Sequence, residues 1–432
     1  MPSAGQTGSF GHSATRRQDW VWLAGIILGL LFSLFPLASY TAAVPIIRDE
    51  WGINGSQAGL LNSLFAAGAM AGALIIIPLT DRLSPGKVLA FSGLAAALGN
   101  LLFPLLATDV ATGAPLRFLA GVGLVGVYVT GTRVVAERFS EHGRGAAIGL
   151  YVTAFYLGSA ASLVVTGLLI PSFGWRVSYA VWAIVSFATP PIAYVLLRNH
   201  SWSATQDATA RFDPSVLKNK TVGIVILSYF LHSFELYHLR TWLPAFLAFV
   251  LMTGGTIESA DAAARAAIVV GAAGMLGAVS PFLGGVLSDR VGRLRAATFL
   301  FAVSGAVSFA IGWLADIPWA GMLALTFLYS FAVGADSAIY STAITEVAET
   351  GKLGSTLAVH TFSAFAAGFL SPVIFGGILD VAGDDIGWGL GFGTAGIAAV
   401  AAIGAMTWLR RQGPAEPQLG ETRGVARRTI SQ

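Results

Sequence analysis

The 432-residue chain contains no cysteine, which excludes disulfide bonds, thiolate metal sites and catalytic cysteines. It also carries little charge. Only 11% of its residues are Asp, Glu, Lys or Arg, against about 25% in soluble globular proteins. With 55% hydrophobic residues, a soluble domain would have too few polar side chains to cover its surface. Disorder requires low hydrophobicity and high charge, so the same figures exclude it. The composition therefore predicts a polytopic integral membrane protein.

Twelve apolar runs, each long enough for a membrane-spanning helix of about 20 residues, follow one another along the chain. We predict an all-α fold with spans at residues 20–44, 57–79, 88–107, 115–139, 144–170, 177–197, 221–251, 266–288, 295–315, 319–345, 353–379 and 386–409. The predicted organisation is a tail (1–19), a six-helix bundle (20–197), a polar linker (198–220), a second six-helix bundle (221–409) and a tail (410–432).

The Lys and Arg residues are distributed unevenly over the predicted loops. If the N-terminus is cytoplasmic, nineteen lie on the cytoplasmic side and three on the outer side, while Arg117, Arg133 and Arg240 lie within spans. The positive-inside rule therefore predicts that the tails and the linker are all cytoplasmic, in a multi-pass protein of the cell membrane. Because the basic residues are spread over short loops, the pI of 9.2 does not indicate a nucleic-acid partner.

Two short loops at equivalent places in the two halves have similar sequences. The loop after span two contains Asp81 and Arg82. The loop after span eight contains Gly285, Asp289, Arg290, Gly292 and Arg293, and its Asp289-Arg290 pair corresponds to Asp81-Arg82. An aspartate that ends one helix can pair with an arginine that enters the next. We therefore expect both loops to hold helix pairs at a fixed angle and to act in gating.

These motifs resemble those of the major facilitator superfamily, over residues of about 18–410. The second loop matches the family pattern Gly-x-x-x-Asp-Arg-x-Gly-Arg, whereas the first copy has Ile77 in place of the leading glycine. The segment 116–123 resembles the Arg-x-x-x-Gly-x-Gly pattern of span four. The run from Tyr237 to Pro244 is similar to that of the bacterial cyanate-permease-like branch. The resemblance implies two bundles that rock about a central site, and it implies that Arg117 bears on proton coupling. Alternatively, Arg117 snorkels to the outer interface.

Ionisable residues within spans usually face a cavity or a partner, and span seven concentrates them. It contains His232, Glu235, His238 and Arg240 within nine residues. A carboxylate beside imidazoles is suited to take up and release protons near neutral pH. The alternative is a buried polar cluster that only fastens span seven to its neighbours.

Two further intramembrane residues join the candidate substrate and proton-coupling site. Asp336 in span ten is expected to pair with Arg240 or His238, as a functional group or as a structural counter-ion. His360 in span eleven lies among hydroxyl residues, which also fits a satisfied core histidine.

The sequence predicts a secondary transporter rather than an enzyme, with no cofactor and no metal. No Gly-Lys-Ser/Thr follows its glycine-rich segments, so the energy must come from an ion gradient. We expect a monomer in the bilayer that imports a small, anionic metabolite with protons. Export of lipophilic or cationic compounds in exchange for protons is the alternative. The proline of the antiporter signature Gly-Pro-x-x-Gly is missing around Gly158, which disfavours export.

Overall fold

The computed structural model describes residues 17–79, 83–139, 143–198, 212–253, 257–349 and 351–411. These parts of the chain consist of helices joined by turns and short connections, and they contain no strand. The elements, in chain order, are α1 (Arg17–Leu34), α2 (Ser39–Trp51), α3 (Gly55–Leu79), α4 (Pro85–Leu106), α5 (Val110–Arg138), α6 (Arg144–Ser186), α7 (Thr189–Leu197), a 3₁₀-helix (Pro214–Lys218), α8 (Lys220–Thr253), α9 (Ser259–Gly277), α10 (Ser280–Val291), α11 (Arg293–Ile311), α12 (Trp319–Ala335), α13 (Ser337–Val347) and α14 (Leu353–Arg411).

Ten helical stretches of the described chain are long and apolar enough to cross a membrane. Two of them, Arg144–Leu197 and Leu353–Arg411, have 54 and 59 residues, more than twice the length that one crossing requires. Each contains one glycine with non-helical torsion angles, Gly174 at φ 70° and ψ 167° and Gly383 at φ 71° and ψ 175°. Both glycines lie in loops that the hydropathy predicts between spans. Each long stretch therefore consists of two helices that meet at a glycine, which tolerates positive φ at little cost.

The outer surface of the helices is apolar, as contact with lipid requires. Phe282 is 72% exposed and Phe91 66% exposed, and many other large hydrophobic side chains are also exposed. A soluble protein rarely exposes so much contiguous apolar surface. The interior, in contrast, contains most of the polar groups discussed below, among them fully buried Arg117, Glu235 and His238.

The two halves of the chain touch along two seams of small residues. In the first seam α3 crosses α14, where a Cβ on Gly59 would lie 2.2 Å from the carbonyl oxygen of Pro372. In the second seam α6 crosses α9, where a Cβ on Gly271 would lie 2.8 Å from the carbonyl oxygen of Ala160. Only glycine allows such close backbone approaches. Side chains from Asp49 and Ser259 also meet across the halves, with 3.2 Å between their oxygens.

We call the end of the bundles that holds residues 48–56, 104–111, 174–177, 257–260, 312–318 and 380–386 the closed end. Its loops are tied together within the first half by Arg176, which bonds Glu50 at 2.8 Å and the carbonyl oxygen of Pro104 at 2.8 Å. At the opposite end of α6 and α10, a Cβ on Gly145, Gly149 or Gly285 would have nothing within 4 Å. The halves therefore pack closely at one end, and these glycines at the other end have room beside them.

Candidate substrate and proton site

The ionisable side chains of α8 do not form one cluster, because the helix points them towards different neighbours. His232 and Glu235 face the helices of the second half, and His238 faces α14. Arg240 faces the first half. Their burial agrees with the sequence prediction, whereas their partners differ from it.

His232 and Asp336 form a buried pair between α8 and the junction of α12 with α13. The His232 Nδ1 atom lies 2.8 Å from Asp336 Oδ1, and both side chains are almost completely buried. The angles at this contact depart from those of a hydrogen bond. On the other side of the ring, Nε2 lies 3.1 Å from the Ser337 hydroxyl. The expectation that Asp336 pairs with Arg240 or His238 is therefore wrong, because His232 is the basic group that α8 brings to this carboxylate.

Glu235 is held by hydroxyl groups rather than by a cation. Ser304 donates to Oε2 at 3.0 Å and Ser308 donates to Oε1 at 2.9 Å, both from α11. The Tyr329 hydroxyl lies 2.6 Å from the Ser308 oxygen and can donate to it. In the described chain no basic side chain forms an ion pair with Glu235, although Asp336 is close enough to interact with it electrostatically. Two carboxyl groups thus share one buried region with a single adjacent imidazole.

His238 fastens α8 to α14. Its Nδ1 atom contacts the Ser371 hydroxyl and lies 3.0 Å from the Phe234 carbonyl oxygen, and its Nε2 atom lies 2.9 Å from Thr394 Oγ1. Both ring nitrogens therefore have partners. This arrangement fits the structural alternative better than a role in proton transfer.

Arg240 lies at the interface of the two halves. Its guanidinium carbon is 5.8 Å from the ring centre of Tyr156 on α6, and the side chain is only partly buried. Arg240 makes no hydrogen bond or ion pair with the part of the chain that the structure describes. Two further tyrosines, Tyr229 and Tyr237, lie within electrostatic range of Arg240. The result is a positive charge without a carboxylate partner, among aromatic rings and between the two bundles.

Arg117 is a second cation without a carboxylate partner among the described residues. It is 1% exposed, so the alternative that it snorkels to the interface is wrong. Its guanidinium donates to Tyr179 at 3.1 Å and to Asn62 at 3.3 Å. It also lies over the Tyr40 and Phe65 rings, at 4.7 and 4.8 Å.

Asn62 connects Arg117 with the second half. Its Nδ2 atom donates to Thr241 Oγ1 at 2.7 Å, and Thr241 is the neighbour of Arg240. Hydrogen bonds therefore connect Arg117 through Asn62 with the side chain of Thr241 on α8, next to Arg240. In the sequence, Asn62 is only a weak candidate for a residue that lines a cavity, because it is a polar residue within a span. No sequence pattern links it to Thr241.

His360 lies on α14 against α8, where its ring stacks on Tyr229 at 3.7 Å and 8° between planes. Its Nε2 atom is buried and has no hydrogen-bond partner in the described chain. His360 is thus close to His232 but not bonded to it, and one of its nitrogens is left open.

The loop between α10 and α11 contains the ion pair that the motif predicts. Arg293 bonds Asp289 at 2.5 Å and reaches Glu346 on α13 at 3.2 Å. Gly292 has a φ of +92°, which explains the glycine at that position. The pairing of Asp289 with the arginine entering α11 is confirmed, while Arg290 and Gly285 are exposed or open to space. Asp81 and Arg82 lie outside the described residues.

The sequence matches the Major Facilitator Superfamily over residues 21–372 and 262–431. The chain belongs to this superfamily. It is a multi-pass membrane transporter and not an enzyme, and the resemblance stated from its motifs is confirmed. The likeness to the cyanate-permease-like branch stays a prediction.

Several curated relatives match over most of the chain. The hexuronate transporter of Bacillus subtilis (strain 168) is 25% identical, over 90% of this chain and 93% of its own length. The probable sulfoacetate transporter SauU of Cupriavidus necator is also 25% identical, over 92% of this chain and 97% of its own. The benzoate transport protein of Acinetobacter baylyi is 23% identical, over 85% and 78%.

Solved structures share the fold at lower sequence identity. A bacterial homologue of the human lysosomal transporter Spinster, in an inward-facing and unoccupied conformation, superposes with a TM-score of 0.74 at 15% identity, covering 92% of this chain and 98% of that one. The nucleoside transporter NupG superposes with a TM-score of 0.73 at 14% identity, covering 92% and 100%. The helices of this chain therefore adopt the superfamily fold.

Proposed function

We propose that the protein imports a small organic anion together with protons, by alternating access of a site between its two bundles. The observation that carries the proposal is Arg240, a cation at the bundle interface that no carboxylate of the described chain neutralises. Unpaired charge within the membrane is costly, so a substrate anion is the natural partner. Hexuronate, sulfoacetate and benzoate, the compounds in the names of the relatives, are all anions.

Arg117 and Asn62 support the site from the first half. The path from Arg117 through Asn62 to Thr241 spans both bundles beside Arg240. When the bundles move apart, the bond between Asn62 and Thr241 must break. Substrate binding at Arg240 and the relative position of the bundles are therefore linked in this proposal.

Proton coupling is assigned to His232, Asp336 and Glu235. An imidazole 2.8 Å from a buried carboxylate can pass a proton with little movement, and Glu235 lies in electrostatic range of that carboxylate. His360, with its open Nε2 atom beside Tyr229, extends this group towards the cytoplasmic end of α14. His238 is assigned a positioning role, because both its nitrogens bond to neighbouring groups.

The proposed topology has twelve spans in two bundles, with both termini and the linker in the cytoplasm of a cell membrane. The non-helical glycines Gly174 and Gly383 support it, because each divides a stretch of more than 50 residues into two helices. The positive-inside count then places the closed end outside. The loops with Asp81 and Asp289 face the cytoplasm and act in gating, and the functional unit is a monomer.

Export of cations remains the alternative, with Glu235 and Asp336 as its binding groups. The geometry favours import, because the serine hydroxyls already bond Glu235 and His232 lies against Asp336. Neither carboxylate projects towards Arg240 and the interface.

The test is binding and uptake by the purified protein in proteoliposomes, with glucuronate, sulfoacetate, benzoate and a lipophilic cation as probes. We expect Arg240→Ala to weaken binding of the preferred anion on the order of 10- to 100-fold, the worth of one charged hydrogen bond. Arg265→Ala is the matched control, because Arg265 is exposed and makes no contact of this kind in the described chain. Equal affinities of the wild type and Arg240→Ala would refute the assignment of Arg240. Selective binding of the lipophilic cation would favour export.

A further inference from the structure

We propose that Asp380 latches the closed end by capping helix α3 across the two halves of the protein. The Asp380 carboxylate accepts three hydrogen bonds from the start of α3. Gly55 N lies 2.6 Å from Oδ1, and Ser56 N and Ser56 Oγ lie 2.8 and 2.5 Å from Oδ2. Asp380 is separated from these residues by more than 320 positions in the chain, so the bonds join the halves directly.

The cap supplies what α3 lacks locally. The first backbone N–H groups of a helix have no partner within the helix. Asn54 satisfies one of them, because its Oδ1 atom accepts from Gln57 N at 2.9 Å while Gln57 bonds back to Asn54 N at 3.0 Å. The N–H groups of Gly55 and Ser56 remain, and Asp380 accepts from both. A carboxylate at this position also interacts favourably with the positive end of the helix dipole.

The glycine seam brings Asp380 to this place. A Cβ on Gly376 would lie 2.1 Å from the Gly55 carbonyl oxygen, so the backbones of α14 and α3 touch there. Asp380 follows Gly376 by one helical turn and therefore reaches the N-terminus of α3. If the halves separate at this end, all three hydrogen bonds break together and two N–H groups lose their partner.

Asp380 is therefore a positioning residue for the transport cycle. It stabilises the conformation in which this end is closed relative to the conformation in which this end is open. The inference rests on the alternating access of the proposed function, but not on the identity of the substrate or on Arg240. Asp380 belongs neither to the loop motifs nor to the ionisable residues that the sequence analysis places within the spans.

The latch can be tested by pulsed electron paramagnetic resonance in detergent and nanodiscs, without substrate. The chain contains no cysteine, so spin labels at Ala111→Cys and Asp316→Cys report one distance between the halves at the closed end. Both positions are exposed. We expect Asp380→Ala to raise the ratio of the long to the short distance roughly 3- to 30-fold, as for removal of a helix cap.

The matched control is Asp384→Ala, which removes the same charge four residues away. Asp384 is exposed and makes no hydrogen bond or ion pair in the described chain. Its variant should retain the wild-type distances. Ser56→Ala removes one of the three bonds and no charge, and it should give a smaller shift of the same sign, even if Asp380→Ala is poorly folded.

Unchanged distances in both Asp380→Ala and Ser56→Ala would overturn the latch, and so would an equal shift in Asp384→Ala. Because the measurement needs no substrate, its result is independent of anion binding. Loss of the Arg240 assignment would leave the latch intact. Likewise, an absent latch would leave anion binding by Arg240 untouched.

Discussion

At the scale of single residues, α8 shows that the sequence indicates which polar side chains are buried but not which groups they contact. The polar residues of this helix were recognisable because few such groups occur in an apolar run. The spacing of three residues puts His232 and Glu235 on one face of the helix, and in the structure both face the second half. It could not reveal that Asp336 would meet His232, because that contact depends on how α12 and α13 pack against α8.

The proton-coupling assignment predicts a specific effect of Glu235→Gln. The amide keeps the size of the side chain and can still accept from Ser304 or Ser308, but it cannot take up a proton. For one coupled proton, a gradient of one pH unit supports about tenfold accumulation. We expect that accumulation to fall to the level without a gradient, while exchange of labelled for unlabelled substrate persists.

Uptake into proteoliposomes with an imposed pH gradient measures this difference. Glu258→Gln is the control, because Glu258 is exposed and its side chain does not cap α9. Full proton-driven accumulation by the Glu235→Gln variant would remove Glu235 from the mechanism. A sodium gradient in place of the pH gradient tests whether the coupling ion is instead sodium.

At the scale of helices, glycines decide how closely two elements approach. At Gly59, α3 approaches α14 so closely that a Cβ would not fit, whereas a Cβ on Gly149 of α6 would have nothing within 4 Å. Both occur in small-residue patterns of the same kind in the sequence. Only the packing separates the glycine that is required from the one that is not.

Gly59→Ala and Gly149→Ala should therefore change stability in opposite directions. At Gly59 the new methyl group would lie 2.2 Å from the Pro372 carbonyl oxygen, and such overpacking typically costs about 1–3 kcal/mol. At Gly149 the helix has space, so alanine should stabilise by about 0.4–1 kcal/mol through the unfolded state. Thermal unfolding of the two purified variants checks the prediction. A lower midpoint for Gly149→Ala than for Gly59→Ala would contradict it.

The start of α5 gives a second prediction at this scale. Asp109 accepts from Thr112 N at 2.8 Å, and the backbone and side-chain hydrogen bonds of Thr112 lower the pKa of Asp109 below its ordinary value of 3.8. A lowered pKa in the folded state means that the stabilisation is present above pH 3.8 and is lost as the pH falls through the folded value.

Asp109→Ala should accordingly lower the thermal midpoint at neutral pH, and the difference from the wild type should narrow in acid. Midpoints measured between pH 3 and pH 7 test this dependence. Asp384→Ala, which removes an exposed aspartate without a hydrogen bond in the described chain, should show no such trend. A difference that stays constant with pH would rule out the contribution of the carboxylate.

At the scale of the whole molecule, the two halves meet at one end through glycine seams and the Asp380 cap. The proposed topology places that end outside. In the proposed topology, the Asp380 cap therefore closes the outer side of the transporter in this conformation.

Labelling of single cysteines in intact cells tests the orientation, since the chain has no cysteine of its own. A membrane-impermeant maleimide should label Ala111→Cys from outside, because Ala111 is exposed at the closed end. Lys352→Cys, exposed before α14, should be labelled only after permeabilisation. The reverse pattern would invert the proposed topology.

Much of the fold followed from the sequence alone, because each span must satisfy its own backbone hydrogen bonds and present apolar side chains to lipid. These constraints act locally, so composition and hydropathy predicted long apolar helices, which the described chain has, and loops where Gly174 and Gly383 lie. The loop motif predicted the pair of Asp289 and Arg293. The surroundings of Arg240, the partners of Glu235 and Asp336, and the cap that Asp380 places on α3 were decided only by the tertiary structure. The physical reason is that similar apolar surfaces cover every helix, so hydropathy does not specify which faces meet. That choice depends on a few glycine contacts and buried hydrogen bonds between residues hundreds of positions apart.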